Sequence, residues 1–167
     1  MAYRCKNDAN WTMIFVSEGA LRLTGYTQDN LMNSKVIDYS SLIHEDYVDL
    51  VWDNVQKALN INGKYLIEYK IRAKDGTEKW VWESGFGVFD EVGDLLFLEG
   101  FIMDITERKN AEDELILAKE KVEDNEIHLK TLINTIPDLI WLKDKEGIYL
   151  NCNNRFEDFF GAKENEI

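Results

Sequence analysis

The chain has 167 residues, 45% of them hydrophobic, which is enough for one packed domain of ordinary size and part of a second. It carries 19 basic and 32 acidic residues, so its net charge is −13. This charge argues against binding to nucleic acids or to anionic lipid surfaces, because both attract positively charged proteins.

The cysteines and the apolar runs of the chain indicate its expected cellular location. Cys5 and Cys152 lie far apart and match no disulfide framework and no metal-ligand spacing. The longest apolar runs, at residues 95–98 and 101–103, are far too short to cross a membrane, and the N-terminus does not resemble a signal peptide. We therefore expect a cytoplasmic chain with no membrane span within these residues.

The first 60 residues alternate between short strands and helices. Residues 3–5 and 12–16 are β-like runs, and Ser17 is predicted to cap a short helix that ends at Gly25. The main helix is predicted within residues 44–59, because its apolar residues recur with helical spacing. This stripe consists of Val48, Val51, Trp52, Val55 and Leu59.

Three strands are predicted to follow the main helix. Apolar residues alternate with charged ones over residues 65–72, which is the period of a half-buried strand, and Asp75-Gly76 predicts a tight hairpin turn. The second strand begins at Trp80-Val81-Trp82, and the third covers residues 95–105. Antiparallel strands with helices on one face indicate an α+β domain of about 100 residues.

A long charged helix is predicted from residue 107 to 136, with a heptad seam typical of a parallel coiled coil. Glu114 would face Lys119 of a second copy across this seam, with opposite charge. We therefore expect a homodimer, although the helix packing on its own domain remains an alternative. The dimer seam includes Ala111, Leu115, Ala118, Val122 and Leu129, and continues through Asn125, Leu132 and Ile136.

The last 31 residues repeat the beginning of the chain. Pro137 ends the helix, and a strand, turn, strand and short helix follow at an offset of 136 residues, which places Gly161 on Gly25. The repeat stops where the first copy continues for more than 70 residues. We interpret residues 137–167 as the beginning of a second, truncated domain.

Several short motifs occur in the same order and spacing as in one known family. They are Trp11-Thr12-Met13, Leu23-Thr24-Gly25-Tyr26, His44-Glu45-Asp46, Lys74-Asp75-Gly76 with Trp80, and Asp104-Ile105-Thr106-Glu107-Arg108. Over residues 3–108 the chain resembles the PAS family of sensory domains, and residues 136–161 resemble the opening third of another PAS domain. His44-Glu45-Asp46 departs from the family, which often has a proline after the histidine.

The resemblance implies an α+β PAS fold, in which a five-stranded antiparallel sheet has helices on one face and a long connector helix follows. It divides the chain into a PAS domain at 1–106, a connector at 107–136 and a second PAS segment at 137–167. It also implies a sensory input module of a bacterial histidine kinase or diguanylate cyclase, with a C-terminal effector domain outside this chain. The alternative is a ligand-free structural dimerisation module.

Two groups of residues are candidates for sensing and transmission. Asp104, Ile105 and Thr106 lie at the predicted strand-to-helix junction and are expected to couple the sheet to the connector. Aromatic and aliphatic residues of the strands could line a pocket for a small-molecule ligand, although plain core packing is the favoured explanation for them. The candidate pocket residues are Tyr65, Ile67, Tyr69, Trp80, Trp82 and Ile102.

Other chemistry is disfavoured by the sequence. His44 is expected to hydrogen-bond at the start of the main helix rather than ligate haem, and His128 lacks the surroundings of a phosphoacceptor histidine. Cys152 is predicted to end a strand, which is the wrong place for the reactive cysteine of flavin-binding relatives. The acidic residues Asp46, Asp49 and Asp53 suit a helix N-terminus better than a metal site. No phosphate loop or nucleophile motif occurs, so we expect no enzymatic activity.

Overall fold

The computed structural model describes residues 1–161, which divide into two compact units, Met1–Ala111 and a second unit that begins at Glu112. Residues 162–167 of the predicted second domain lie outside the described part. The strands are β1 Ala2–Cys5, β2 Met13–Val16, β3 Lys64–Arg72, β4 Glu78–Phe89, β5 Leu95–Asp104, β6 Trp141–Lys143 and β7 Tyr149–Cys152. The helices are α1 Gly19–Thr24, α2 Gln28–Leu31, α3 Val48–Asn60, α4 Thr106–Thr135 and α5 Asn154–Phe160, with 3₁₀ turns at Tyr39–Leu42 and Glu45–Tyr47.

The first unit is built on a five-stranded sheet in the order β2-β1-β5-β4-β3. Every neighbouring pair is antiparallel, and β3, β4 and β5 follow one another through short turns. The predicted α+β fold with a five-stranded antiparallel sheet is therefore confirmed. Tyr69 lies opposite Val81, and Val81 lies opposite Asp104, so the three long strands are in register up to the start of α4.

Side chains alternate across the long strands as the period of two requires. The predicted inner face of β3 is confirmed, since Tyr65, Ile67, Tyr69 and Ile71 are all buried. On β4 the inward residues are Val81, Glu83 and Gly85. Trp80 and Trp82 alternate with them and are only half-buried.

The main helix is confirmed, and it presents a narrower face to the sheet than its apolar stripe suggests. Val51, Val55 and Ala58 are buried, which centres the contact on spacings of four and three residues. Val48 and Trp52 remain 42% and 37% exposed, because they lie at the edges of that face. Trp52 packs instead against the ring of Trp11, with ring centroids 5.2 Å apart.

Local signals at the helix ends are partly confirmed. Gly25 closes α1 in the left-handed conformation with φ of 77°, as predicted. The prediction that the Ser17 side chain caps α1 is wrong, because its hydroxyl accepts a hydrogen bond from the Ala2 amide at 2.9 Å and thereby ties β1 to the end of β2. His44 hydrogen-bonds locally as expected, since its ring accepts from the Asp46 amide at 3.3 Å.

Helix α4 is a single helix of 30 residues whose first six belong to the first unit and whose remainder belongs to the second. It has no buried residues. The seam residues Leu115, Val122 and Leu129 are 71%, 56% and 60% exposed in the single chain. The dimer seam stays a prediction.

The second unit contains a two-stranded sheet and α5, which the buried amide side chain of Asn153 helps to connect. Asn153 is fully buried, accepts hydrogen bonds from the amides of Ile140 and Phe156 at 3.1 Å each, and donates to the Asp138 carbonyl at 2.9 Å. Cys152 ends β7 as predicted and is buried.

Candidate functional site

A small internal cavity lies between the helices and the inner face of the sheet in the first unit. Its volume is about 10 Å³, which is room for about one water molecule. The walls combine aromatic rings, aliphatic side chains and one carboxyl group. The lining residues are Tyr3, Cys5, Trp11, Met13, Tyr39, Ile43, Val51, Val55, Tyr65, Tyr69, Glu83 and Leu98.

The carboxyl group belongs to Glu83, which is only 6% exposed and accepts hydrogen bonds from two tyrosines. The Tyr3 hydroxyl donates to Oε1, and the Tyr69 hydroxyl donates to Oε2 at 2.6 Å. Tyr65 lies 2.6 Å from the Tyr3 hydroxyl, and Tyr39 lies 3.0 Å from the Tyr69 hydroxyl. Four tyrosines and one glutamate thus form a continuous hydrogen-bonded chain, which we call the tyrosine–glutamate cluster.

Two glycines make room for this cluster on the inner face of the sheet. A Cβ atom at Gly85 would overlap the Tyr65 ring, and one at Gly100 would lie 2.8 Å from the Tyr3 hydroxyl. Real Cβ atoms essentially never come so close to other heavy atoms. Gly85 and Gly100 lie opposite each other on β4 and β5, so the missing side chains leave one shared hollow for the two phenol groups.

Burial dominates the electrostatics of the cluster. It raises the pKa of the Glu83 carboxyl, and the hydrogen bonds from Tyr3 and Tyr69 offset only part of this effect. Burial and the neighbouring Glu83 raise the pKa of the Tyr3 and Tyr69 hydroxyls well above their usual range. The tyrosines are therefore fixed as neutral donors, and Glu83 is the group whose protonation can change.

The raised pKa of Glu83 predicts a particular pH dependence of stability. Between the ordinary value of 4.5 and the higher folded-state value, the folded chain holds a proton that the unfolded chain has lost. The contribution of Glu83 to stability is therefore greatest below pH 4.5 and falls as the pH rises, by at most about 1.4 kcal/mol per pH unit.

Urea unfolding of the parent chain and of Glu83→Gln over a pH series tests this expectation. The glutamine keeps the shape of the side chain and does not titrate. The contributions of all other carboxyl groups to the pH dependence therefore cancel when the unfolding free energies of the two proteins are subtracted. The parent should lose stability relative to Glu83→Gln as the pH rises. A difference that is constant with pH, or that grows in favour of the parent, would show that the folded-state pKa is not raised.

Trp11 forms one wall of the cavity in a strained backbone conformation. Its φ of 49° lies in the left-handed region, which costs a bulky residue on the order of 1–3 kcal/mol. Its ring is 6% exposed and packs on Trp52 of α3, which is accessible to solvent. The Trp11–Trp52 pair therefore separates the cavity from the outside of the domain.

The structure brings only part of the predicted pocket together. Tyr65 and Tyr69 line the cavity, whereas Ile67 and Ile102 are buried in the core but do not line it. Trp80 does not line it either, because it alternates with the inward residues of β4. Trp82 is likewise half-buried and packs against Phe101, with ring centroids 5.3 Å apart.

The three predicted coupling residues meet the first residues of β4. The Thr106 hydroxyl donates to Asp104 at 2.6 Å and accepts from the Trp80 amide at 3.0 Å. The Ile105 amide donates to the Trp80 carbonyl at 2.9 Å. The Lys79 ammonium lies 3.4 Å from the second oxygen of Asp104. We call Lys79, Trp80, Asp104, Ile105 and Thr106 the junction.

A further residue that contacts the start of α4, Glu68, was not found from the sequence. Glu68 on β3 forms ion pairs with Arg108 and with Lys109, the latter at 2.8 Å. The ammonium of Lys109 also lies 5.3 Å from the centre of the Trp80 ring. Glu68 thus ties the first turn of α4 to the outer face of the sheet.

The carboxyl groups beside α4 are held in their ionised form. Partial burial alone would raise the pKa of Asp104, but hydrogen bonds from Thr106 and Lys79 outweigh it and lower the pKa below its usual range. Hydrogen bonds from Lys109 and Arg108 lower the pKa of Glu68. Both groups therefore keep their charge at neutral pH.

Two kinds of feature are absent from the described part of the chain. Among residues 1–161, no helix combines the length and the apolar character that a membrane crossing requires. Within the same residues, no three or more His, Cys, Asp or Glu side chains are grouped as metal ligands.

Family models match both parts of the chain. A model described as PAS fold matches residues 13–102, more than half of the chain, and a model described as PAS domain matches residues 128–167. The chain belongs to the PAS family. The resemblance drawn from the sequence motifs is therefore confirmed.

Two curated relatives are named as sensors. The chain is 34% identical over 116 residues to the methyl sulfide methyltransferase-associated sensor of Methanosarcina acetivorans, and 25% identical over 150 residues to the sensor protein FixL of Bradyrhizobium diazoefficiens. These matches cover 69% and 90% of this chain. The chain spans only 11% and 28% of the length of these two relatives.

Solved structures of low sequence identity share the fold. A sensory box histidine kinase/response regulator from Burkholderia thailandensis has a TM-score of 0.60 at 24% identity, covering 74% of this chain and 89% of that one. The N-terminal domain of a diguanylate cyclase with PAS/PAC sensor from Marinobacter aquaeolei has a TM-score of 0.56 at 18% identity, covering 65% and 96%.

Proposed function

We propose that the chain is a sensory input module of a bacterial signal-transduction protein, in which α4 transmits the state of the cavity to an effector domain. One observation carries this proposal. Strand β4 bears Glu83 in the cavity and, three residues earlier, Trp80 in the junction. A change in the cavity therefore has a short, hydrogen-bonded route to the first residues of α4.

The route runs through paired strands. Tyr69 donates to Glu83 and lies opposite Val81, and Val81 lies opposite Asp104, whose carboxylate accepts from Thr106 at the start of α4. A shift of β4 by a fraction of an ångström would alter these short contacts directly. Packed strands and junctions of this kind convert small displacements into discrete changes of helix packing.

The relatives support the assignment to signalling. Two are named as sensors, and structures with the same fold come from a histidine kinase and a diguanylate cyclase. We propose that an effector of one of these two kinds follows this chain in a cytoplasmic protein. The chain itself then performs no catalysis, and the chemical step belongs to the effector.

Dimerisation through the α4 seam completes the proposal. A parallel pair of helices can change register or pairing, and such a change is what a coupled effector would detect. The second candidate function, a ligand-free structural dimerisation module, is favoured by the small size of the cavity, which has room for about one water molecule. The two candidates differ in whether the cavity takes a ligand.

Native mass spectrometry of freshly purified protein, combined with an absorbance spectrum, separates the two candidates. A small molecule retained by the folded chain and lost on unfolding supports the sensory module. The structural module is supported if the mass of the folded chain equals that of the polypeptide alone. In that case, no tested small molecule should change its thermal stability or the packing of α4.

Neutralising Glu68 is expected to loosen the start of α4 without unfolding the domain. Glu68→Gln removes the charge that holds Arg108 and Lys109, so amide exchange in the first two turns of α4 should become several-fold faster. The unfolding free energy should change by less than about 1 kcal/mol, because exposed ion pairs contribute little. Hydrogen exchange detected by mass spectrometry measures the first effect, and urea unfolding measures the second.

Glu91→Gln is the matched control, because Glu91 lies in the exposed turn between β4 and β5. It should leave exchange in α4 unchanged. Equal exchange in Glu68→Gln and in the parent would remove Glu68 from the coupling route.

A further inference from the structure

The tyrosine–glutamate cluster has a fixed direction of hydrogen bonding when Glu83 is ionised. Tyr3 and Tyr69 each use their single proton on a carboxylate oxygen. Tyr65 must then donate to Tyr3, and Tyr39 must donate to Tyr69. All four phenol protons are consumed within the cluster, so the tyrosines can offer the cavity only oxygen lone pairs and ring faces.

The charge of the cluster has no basic partner in the cavity wall. All twelve lining residues lie in the described part of the chain, and no lysine, arginine or histidine is among them. A buried carboxylate without a positive partner is unfavourable, and two neutral donors compensate only partly. The cavity beside Glu83 is therefore matched to an occupant that brings positive charge.

The volume and the lining of the cavity limit which positively charged species can occupy it. A volume of about 10 Å³ admits a species of the size of water. The wall offers carboxylate and phenol oxygens as acceptors, and five aromatic rings, those of Tyr3, Trp11, Tyr39, Tyr65 and Tyr69, which attract cations through their faces. A water-sized cation that donates several hydrogen bonds satisfies all three conditions.

We propose that the tyrosine–glutamate cluster is a binding site for the ammonium ion, and that the ionised form of Glu83 depends on this bound cation. The proton released by Glu83 leaves to solvent while the cation takes its place beside the carboxylate. The net charge of −13 draws cations to the domain. This inference rests on the sensory function proposed above and names the ligand of that site.

The entry route follows from the cavity wall. Trp11 separates the cavity from Trp52 at the surface of α3, and its left-handed backbone stores strain that a rearrangement would release. Displacement of the Trp11 ring opens the cavity to solvent. Ammonium binding should therefore also change the fluorescence of the Trp11–Trp52 pair.

Infrared difference spectroscopy of the full chain at neutral pH tests the proposal, with ammonium chloride compared with sodium chloride at equal ionic strength. Ammonium should remove the carbonyl band of a protonated buried carboxyl group and increase the carboxylate band. Potassium has a similar size but no N–H donors, so it should act about tenfold more weakly, as expected for the loss of a charged hydrogen bond. Tetramethylammonium is too large for the cavity and should have no effect.

Three variants test whether the infrared band of the protonated carboxyl group belongs to Glu83. Glu83→Gln should lack both the band and the ammonium response, and Tyr39→Phe, which keeps the ring and loses one acceptor oxygen, should retain the band and respond more weakly. Glu99→Gln is the matched control, because Glu99 pairs with Arg4 away from the cavity and should respond as the parent does.

Three results would overturn the proposal, and the first two concern the infrared band. One is a protonated band that ammonium leaves unchanged, and the other is a Glu83 that is already ionised in sodium chloride alone. Either result leaves the sensory function standing, because that function is tested separately through the junction and α4. An equal response to sodium and ammonium would also contradict the assignment, since it would show an effect of ionic strength rather than a site.

Discussion

Replacing Leu115 and Val122 together by aspartate is expected to weaken self-association of the chain by orders of magnitude. Both residues occupy the same heptad position on α4 and are largely exposed in the single chain. In a parallel pair each would bury against its counterpart, so the double variant places like charges across an apolar seam at a cost of several kcal/mol. Sedimentation equilibrium of the variant beside the parent measures the change.

Two control variants isolate the seam. Replacing Ile116 and Leu117 by aspartate adds the same charges and removes equally exposed apolar residues outside the seam, so association should change little. Glu114→Lys should also have a small effect, because an exposed pair contributes about 0–1 kcal/mol. Circular dichroism should show that the Met1–Ala111 unit keeps its fold in all variants.

The seam is contradicted by either of two observations. A double variant that dimerises as well as the parent would place the interface elsewhere, for example on the outer face of the sheet. A parent chain that stays monomeric at high concentration would remove the coiled coil from the proposed route of transmission.

Adding a methyl group at Gly100 is expected to destabilise the first unit strongly. A Cβ atom there would overlap the Ser84 carbonyl oxygen and lie 2.8 Å from both the Gly85 Cα and the Tyr3 hydroxyl. The obstructing atoms of Ser84 and Gly85 are backbone atoms of the paired strand β4, so they cannot move away without breaking the ladder. Gly100→Ala should therefore lower the unfolding free energy by about 3 kcal/mol, the upper range for overpacking.

Urea unfolding followed by circular dichroism measures this loss, and Gly63→Ala provides the comparison. At Gly63 a Cβ atom would meet mainly the flexible side chain of Ile61, at 3.2 Å, so the loss should be below about 1 kcal/mol. Similar stability of Gly100→Ala and the parent would mean that β4 and β5 are not packed as closely as described.

The strands and the junction were predictable because their signals are local. Alternation over residues 65–72 identified the inner face of β3, and Tyr65, Ile67 and Tyr69 are buried as expected. The motif at residues 104–108 placed the strand-to-helix junction, where Thr106 does contact β4. Such signals depend only on residues that are close together in the sequence, so a single sequence is enough to reveal them.

The inward-facing residues of β4 could not be predicted from the sequence. The hydropathy of the strand favours one face, whereas its pairing register in the sheet turns the other face inward. Trp80 and Trp82 are the largest apolar residues of the strand start, yet Val81 and Glu83 face inward. A glutamate is almost never expected in a core, since its burial is unfavourable without partners. The sequence signal that was available for this inward face was Gly85, which lies two residues after Glu83 on the same side of β4.

The partners of Glu83 were also beyond the reach of sequence patterns. Tyr3 is 80 residues away and belongs to β1, which is separated from β4 by β5, and Tyr39 lies in a short 3₁₀ turn. No periodicity links such positions, so only the folded sheet brings their hydroxyl groups together. For the same reason Glu68 was missed, since its partner Arg108 is 40 residues later in the chain, directly before its other partner Lys109.

Hydrogen exchange of the first residues of α4 in Tyr69→Phe is the most direct test of the claim that the cavity controls the connector helix. This variant keeps the ring, removes one donor from Glu83 and lies far from α4 in sequence. Exchange at residues 104–110 should change several-fold, whereas Tyr26→Phe, a tyrosine outside the cavity, should leave it unchanged. Altered exchange around Glu83 with unaltered exchange at residues 104–110 would contradict the claim.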